Sequence, residues 1–293
     1  MNFDKYKVSR RIKLNLKKVP THDTWKNFSK NRLREKLVGN IDDIAKLQNR
    51  LYAEDRQALL IILQGMDSAG KDGTIRAIMS GVNPQGVLVS SFKHPTEAEL
   101  EHDFLWRHAQ KLPEHGQITI FNRSHYENVL ISRVHPKLIL AERLPGIDHV
   151  KKVNGDFWKI RYKQINYFER RTIQNGTQIL KIFLHLSKKE QGKRFIDRME
   201  HKEKHWKFSS LDVVERQFWG KYQSAYELAL KHTSTKMAPW FIVPADDKLY
   251  AHCLISEIIL HKLKSMNPRF PPLSKKEEIY MNEEKSKLIQ EYS

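Results

Sequence analysis

The 293-residue chain carries 52 Lys and Arg against 34 Asp and Glu, a formal net charge of +18, with 40% hydrophobic residues. That hydrophobic share supports a buried core and excludes wholesale disorder. The charge favours a polyanionic partner (nucleic acid, an anionic membrane or polymeric phosphate), although a merely solubilising basic surface has the same composition. Cys253 is the single cysteine, which excludes an intrachain disulfide and points to a reducing, cytoplasmic setting. The opening Met-Asn-Phe-Asp-Lys-Tyr-Lys has no apolar stretch behind it, so no signal peptide is expected. The most apolar run, Ala58–Leu63, is strand-sized and too short for a bilayer.

Residues 1–40 are basic, poorly periodic and interrupted by Pro20, and read as an extended arm. Asn40 is placed to cap a helix over Ile41–Ala53, with Ile44, Leu47 and Leu51 at helical spacing. Short apolar runs follow at Ala58–Leu63, Gly86–Ser90, Gln117–Phe121, Ile179–Leu186 and Trp240–Val243, separated by helical segments. Strands alternating with helices predict an α/β fold, a parallel sheet covered on both faces. Trp158, Tyr162, Ile165, Phe168 and Thr172 lie at helical spacing and read as core. The organisation expected is an arm over 1–40, one domain over 41–270 with a lid at 188–219, and a charged tail over 271–293 that forms a solvated helix.

Strand Ala58–Leu63 runs into Gly65-Met66-Asp67-Ser68-Ala69-Gly70-Lys71-Asp72-Gly73-Thr74, and a helical segment follows. Strand, G-x-x-x-x-G-K and helix in that order make a phosphate loop. The glycines let successive N–H groups face phosphate oxygens, the helix N-terminus adds a positive dipole, and Lys71 adds a mobile charge. The residue after the lysine is usually Ser or Thr, which binds Mg²⁺; here it is Asp72, and Thr74 is out of register. Asp67 is the obvious hard oxygen ligand in its place. Its bland alternative is hydrogen bonding to loop N–H groups.

The strand at Gln117–Phe121 ends in Asn122-Arg123-Ser124-His125-Tyr126-Glu127. In a P-loop fold this strand delivers an acidic residue towards the metal. Here the first place is the neutral Asn122, and Glu127 comes five residues later. Arg123 is placed to neutralise a transferring phosphoryl group. Lys93, after the second strand, suits a phosphate contact or an ordinary surface lysine equally.

G-M-D-S-A-G-K-D-G-T together with F-N-R-S-H-Y-E resembles the polyphosphate kinase 2 family. So do Phe92-Lys93-His94-Pro95-Thr96, Phe104-Leu105-Trp106-Arg107, Phe183 to Gln191, Trp206-Lys207-Phe208-Ser209 and Ala238-Pro239-Trp240, in matching order from Tyr52 to Leu263. The resemblance implies a P-loop kinase-like, thymidylate-kinase-like sheet with a helical lid. It also implies reversible phosphoryl transfer, dependent on Mg²⁺ (or Mn²⁺), between inorganic polyphosphate and AMP, ADP or ATP, with guanine nucleotides as further candidates. A homodimer or homotetramer would be usual, with polyphosphate in a basic groove and the nucleotide across the loop. Asn122 with Glu127 is similar to the branch that phosphorylates both AMP and ADP; other branches resemble Asp at the first place and Asn at the second.

From Lys188 to His205 the chain reads as one helix, with Gln191, Arg194, Arg198, Lys202 and His205 on a single face. Phe195, Ile196 and Met199 form the apolar stripe expected to rest on the body. A basic face is ordinarily just solvated, but behind a phosphate loop it suits polyphosphate. The full phosphate set is the loop residues Gly65, Ser68, Ala69, Gly70, Lys71, Asp72, Gly73 and Thr74 with Lys93, Arg123, Arg133, Arg194, Arg198 and Lys207. Catalysis falls to Asp67, Lys71, Arg123, Arg194 and Arg198, nucleotide contact to Asn122 and Glu127, and metal to Asp67 and Glu127. His201 and His205 have metal-ligand spacing, but no third ligand is near in sequence. The rival readings are an ATP-dependent nucleotide or metabolite kinase on the same loop, and a nucleic-acid-binding protein, for which no recognition motif is present.

Overall fold

The computed structural model describes residues 4–9, 14–23 and 29–292. Five parallel strands form the sheet: β1 (Ala58–Gly65), β2 (Val87–Ser91), β3 (Ile118–Asn122), β4 (Thr177–His185) and β5 (Trp240–Pro244), in the order β2-β3-β1-β4-β5. All eight residues of β1 are buried, as its central place between β3 and β4 requires. The longer helices are α1 (Lys30–Glu54), α2 (Lys71–Ile78), α3 (Gly155–Gln174), α4 (Lys188–Glu200), α5 (Trp219–Thr233), α6 (Lys248–Met266) and α7 (Lys275–Tyr292).

The sheet separates two cores. On one face Ile44 and Leu51 of α1, Ile78 of α2, and Leu254 and Ile258 of α6 cover Leu59, Ile61, Ile120 and Ile182. On the other, Trp158, Tyr162 and Ile165 of α3 and Tyr226, Ala229 and Leu230 of α5 cover Leu60, Ile62, Phe121 and Phe183. Alternate residues of β1 serve alternate faces, which is the period-two rule of a strand. The expected α/β parallel sheet is therefore present, and Phe168 and Thr172 are buried beside the other α3 residues.

Two expectations need correction. The helix expected from Ile41 starts at Lys30, where Ser29 Oγ accepts from Arg32 N at 3.3 Å. Asn40 is no cap. It sits within α1 and donates from Nδ2 to Ser256 Oγ at 2.9 Å and to Glu257 Oε1 at 3.1 Å on α6. The boundary at residue 40 thus falls inside a helix. The described part of the arm is also packed: Tyr6, Val8 and Leu16 are buried, and Lys7 bridges antiparallel to Phe241 of β5. A few buried apolar residues, too sparse to make a period, tie the basic segment down. The tail does form the exposed helix α7, with no buried residue. Among the described residues no helix is long and apolar enough to cross a membrane.

Candidate active site

Two strand ends build the site. At the first, β1 turns beside β4: a Cβ on Gly65 would lie 3.0 Å from the Cβ atoms of Ala69 and Leu184, so any side chain there would require these neighbours to give way. Gly70 takes φ +101° immediately before α2, in the left-handed region that glycine enters freely. The loop closes on itself through Ala69 N to Met66 O at 3.0 Å and Thr74 N to Gly70 O at 2.9 Å. Lys71 lies buried beneath it and donates from Nζ to Gly65 O at 2.7 Å and Met66 O at 3.2 Å. Burial, and next the Arg123 guanidinium, lowers the Lys71 pKa from the ordinary lysine value.

At the second end, β3 stops at Asn122 and Arg123 takes φ +88°, a left-handed backbone unusual for a side-chain-bearing residue. Ser124 Oγ then accepts from Tyr126 N at 3.3 Å and opens a 3₁₀ turn over His125–Val129. The turn carries Glu127 back towards the loop. Arg123 Nη2 donates to Asp67 Oδ1 at 3.0 Å, and Asn122 Nδ2 donates to Asp72 Oδ1 at 2.8 Å. Gln64, oriented with its amide nitrogen towards Glu127, donates to Oε1 at 3.3 Å and accepts from Ser124 N at 3.0 Å. Burial raises the Glu127 pKa; Arg123 and Lys71 oppose that shift, while Asp67 adds to it. Asp67, Lys71, Arg123 and Glu127 thus share one charge cluster.

The lid meets this cluster with a different face from the one expected. Phe195 is buried, but Ile196 and Met199 are 52% and 44% exposed; the apolar stripe does not rest on the body. The polar face does. Gln191 donates to Asp67 O at 3.0 Å. Arg194 donates to Ser68 O and Ala69 O from Nη1, to Ala245 O and Asp246 O from Nη2, and to Glu190 from Nε. Buried carbonyl oxygens need donors more than a short stripe needs cover, and a guanidinium supplies five. Arg198 donates to Ser68 Oγ at 2.8 Å. The helix itself ends at Glu200, and Lys202 and His205 lie in a 3₁₀ segment beyond it, so the single helix to His205 is corrected.

Other expected residues divide. Lys93 joins Arg107, Arg123 and Glu127 around a cavity of about 190 Å³ whose wall is mainly apolar, with Phe92, Phe104 and Ile131. Arg133 is not drawn into the cluster: its guanidinium stands 5.1 Å over the Trp158 ring, on the second core. Thr74 is buried in the first turn of α2, while Asp72 and Gly73 are exposed there. The side chain of Lys207 lies outside the described residues. Among the described residues no three His, Cys, Asp or Glu side chains gather as a metal cluster.

The polyphosphate kinase 2 family profile matches residues 27–271, which takes in both strand ends and the lid. The chain belongs to the polyphosphate kinase 2 family. It is 45% identical over 282 residues to the ADP-polyphosphate phosphotransferase of Rhodopseudomonas palustris, covering 95% of this chain and 96% of that one. It is 42% identical over 268 residues to the AMP/ADP-polyphosphate phosphotransferase of Meiothermus ruber, covering 91% and 95%. The crystal structure of polyphosphate kinase 2 from Arthrobacter aurescens matches with a TM-score of 0.85 at 35% identity, over 96% of each chain. As a polyphosphate kinase 2, the chain is an enzyme that transfers phosphoryl groups between polyphosphate and nucleotides. In this polyphosphate kinase 2 two contacts were not anticipated from sequence: the Gln64 link between the strand ends, and the Asn122–Asp72 bond. Gln64 ends an apolar run, which was the available signal. The Asn122–Asp72 pair had none, since 50 residues separate the partners.

Proposed function

We propose that this enzyme phosphorylates both AMP and ADP from inorganic polyphosphate, reversibly and with Mg²⁺ or Mn²⁺. The observation that carries the reading is the convergence of Asp67, Lys71, Arg123 and Glu127 between a basic lid and a largely apolar cavity. Lys71 and the loop N–H groups cradle the transferring phosphoryl group, and Arg123 neutralises charge on its equatorial oxygens. Arg198, at the loop's outer edge, meets the polymer, and Arg194 holds the loop in shape. The apolar cavity takes the nucleoside, with Lys93 at its phosphate end. No general base is needed, because the attacking nucleotide phosphate oxygen is already an anion.

The residues suit a hard divalent ion. Asp67 and Glu127 offer carboxylates, and the buried Asn122 Oδ1 has no hydrogen-bond donor. Two carboxylates and an amide oxygen are too few for an all-protein cage, but Mg²⁺ ordinarily keeps water and substrate phosphates as its remaining ligands. When bound, the ion would supply charge neutralisation across the phosphate oxygens. The AMP and ADP reading is supported by the neutral Asn122 and by the name of the Meiothermus relative. A cytoplasmic homodimer or homotetramer completes the proposal, supported by the lone cysteine and by exposed Leu88 and Val89 on edge strand β2. Incubation with Mg²⁺, long-chain polyphosphate and each of AMP, ADP, GMP and GDP tests it. Production of ATP from both AMP and ADP is expected; turnover with ATP alone as donor and none with polyphosphate would sink it.

A further inference from the structure

Behind the β3 turn lies a buried charged network that the site chemistry does not use. Lys181, in the middle of β4, is fully buried, and Glu169 of α3 is 1% exposed. Lys181 Nζ donates to Glu169 Oε2 at 2.6 Å, to Thr233 O at 2.8 Å and to Tyr126 OH at 3.1 Å. Tyr126 in turn donates to Glu169 Oε1 at 2.6 Å, and the His125 ring nitrogen Nε2 lies 3.4 Å from the same oxygen. Four elements meet at this point: the β3 turn, α3, β4 and the end of α5.

Burying two opposite charges costs several kcal/mol per ion, and well-packed apolar replacements of such a pair are often neutral or stabilising. Stability therefore gives no reason for the arrangement. Position does. Tyr126 stands between Arg123 and Glu127 in sequence, and the turn that holds them contains the left-handed Arg123. Such a backbone is strained and persists only where its surroundings over-determine it. Beyond the loop face, a buried polar anchor of the turn is the Tyr126 hydroxyl, which is fixed from both sides, by a carboxylate that accepts and an ammonium that donates. A rotated Tyr126 would carry Arg123 and Glu127 with it.

We propose that Glu169 and Lys181 are positioning residues for phosphoryl transfer, acting through Tyr126 to hold Arg123 and Glu127 against Asp67 and Lys71. This rests on the roles given above to Arg123 and Glu127. The test compares the double variant Lys181→Met/Glu169→Leu, Tyr126→Phe and Glu127→Gln in the full chain, measuring thermal midpoint, kcat, and KM for long-chain polyphosphate. The double variant folds with a midpoint near wild type, loses about tenfold to a hundredfold in kcat, as sub-ångström to ångström misplacement does, and keeps its polyphosphate KM. Tyr126→Phe loses less, about threefold to tenfold, with the same split. A folded double variant or Tyr126→Phe with wild-type kcat overturns the proposal. If the double variant does not fold, Tyr126→Phe alone decides. Glu127→Gln with full activity would instead overturn the site reading, so the two failures are told apart.

Discussion

The two strand ends that form the site are held in unlike ways. The β1 end is shaped mostly by neighbours in sequence, through two glycines, a closing turn and Lys71 returning to Gly65 O within six residues, with Gln191 and Arg194 of the lid bracing its carbonyls. The β3 end has no glycine, and its left-handed residue is Arg123. It is kept in place by side chains from afar, with Gln64 in front and Glu169 and Lys181 behind. A locally built end travels as a motif; a remotely held end depends on the whole fold.

Lys71→Ala is the strongest blow to the first end. It removes the ammonium under the transferring phosphate and should cost at least about 10²-fold in kcat, in both directions of transfer. Far-UV circular dichroism should stay native, because the glycines, the Ala69 N–Met66 O turn and the Arg194 bonds remain when the ammonium is lost. A folded variant retaining most of its turnover would remove Lys71 from the mechanism.

Next comes the brace across the loop. Arg194→Lys keeps the charge but cannot supply five directed N–H groups, and should lower kcat about tenfold. Arg198→Gln should act on the polymer instead: the log–log slope of polyphosphate affinity against salt flattens by about one. Identical effects from the two changes would abolish the distinction between a loop brace and a polymer contact.

How these ends were legible differs accordingly. The loop, its strand and all five β-strands could be read within a residue or two, since glycine spacing and apolar runs are local signals. The first turns of α1 could not, because from Lys30 to Gly39 Leu33 is the one residue buried. The lid's contacting face was misassigned for a physical reason: three apolar residues suggested a buried stripe, but loop carbonyls at Ser68 and Ala69 drew Arg194 inward. Lys181 reads as a break in an apolar strand and Glu169 as one charge among several on α3. Only the packing of β4 against α3 makes them partners.

A subtler probe separates the ends by charge. Asn122→Asp would place a carboxylate at hydrogen-bond distance from Asp72, where Asn122 now donates. Repulsion there, and from a nucleotide's terminal phosphate, should change the ratio of kcat/KM for AMP and ADP several-fold while the faster rate changes little. Kinetics with both nucleotides at fixed polyphosphate check this, and an unchanged ratio would detach Asn122 from substrate choice.

The smallest effect is on stability and belongs to the β3 end alone. His108 and His125 pack behind it, and burial lowers both pKa values, that of His108 well below the ordinary value. Below about pH 6.5 the unfolded chain takes up protons that these buried rings refuse, so stability is complete above that pH and declines as it falls. The unfolding free energy from urea titration should therefore drop between pH 7.5 and 5.5, by on the order of 1–2 kcal/mol. His108→Leu should lessen the drop, and an equal drop in that variant would exclude His108 as its source.

The order of strands also governs when the enzyme comes into being on the ribosome. β1 is bonded on one edge to β3 and on the other to β4, which lies more than a hundred residues downstream. Gly65 pairs with Leu184, and the same Leu184 sets the close approach at the loop's first turn. A nascent chain that has emerged only as far as α3 already carries the whole Gly65–Thr74 signature, yet the largely apolar β1 still has an open edge. Such parallel pairings form slowly, and until they form that edge is exposed to other chains and to chaperones. A polypeptide ending before Thr177 would thus display a complete phosphate-binding sequence and have no working phosphate pocket.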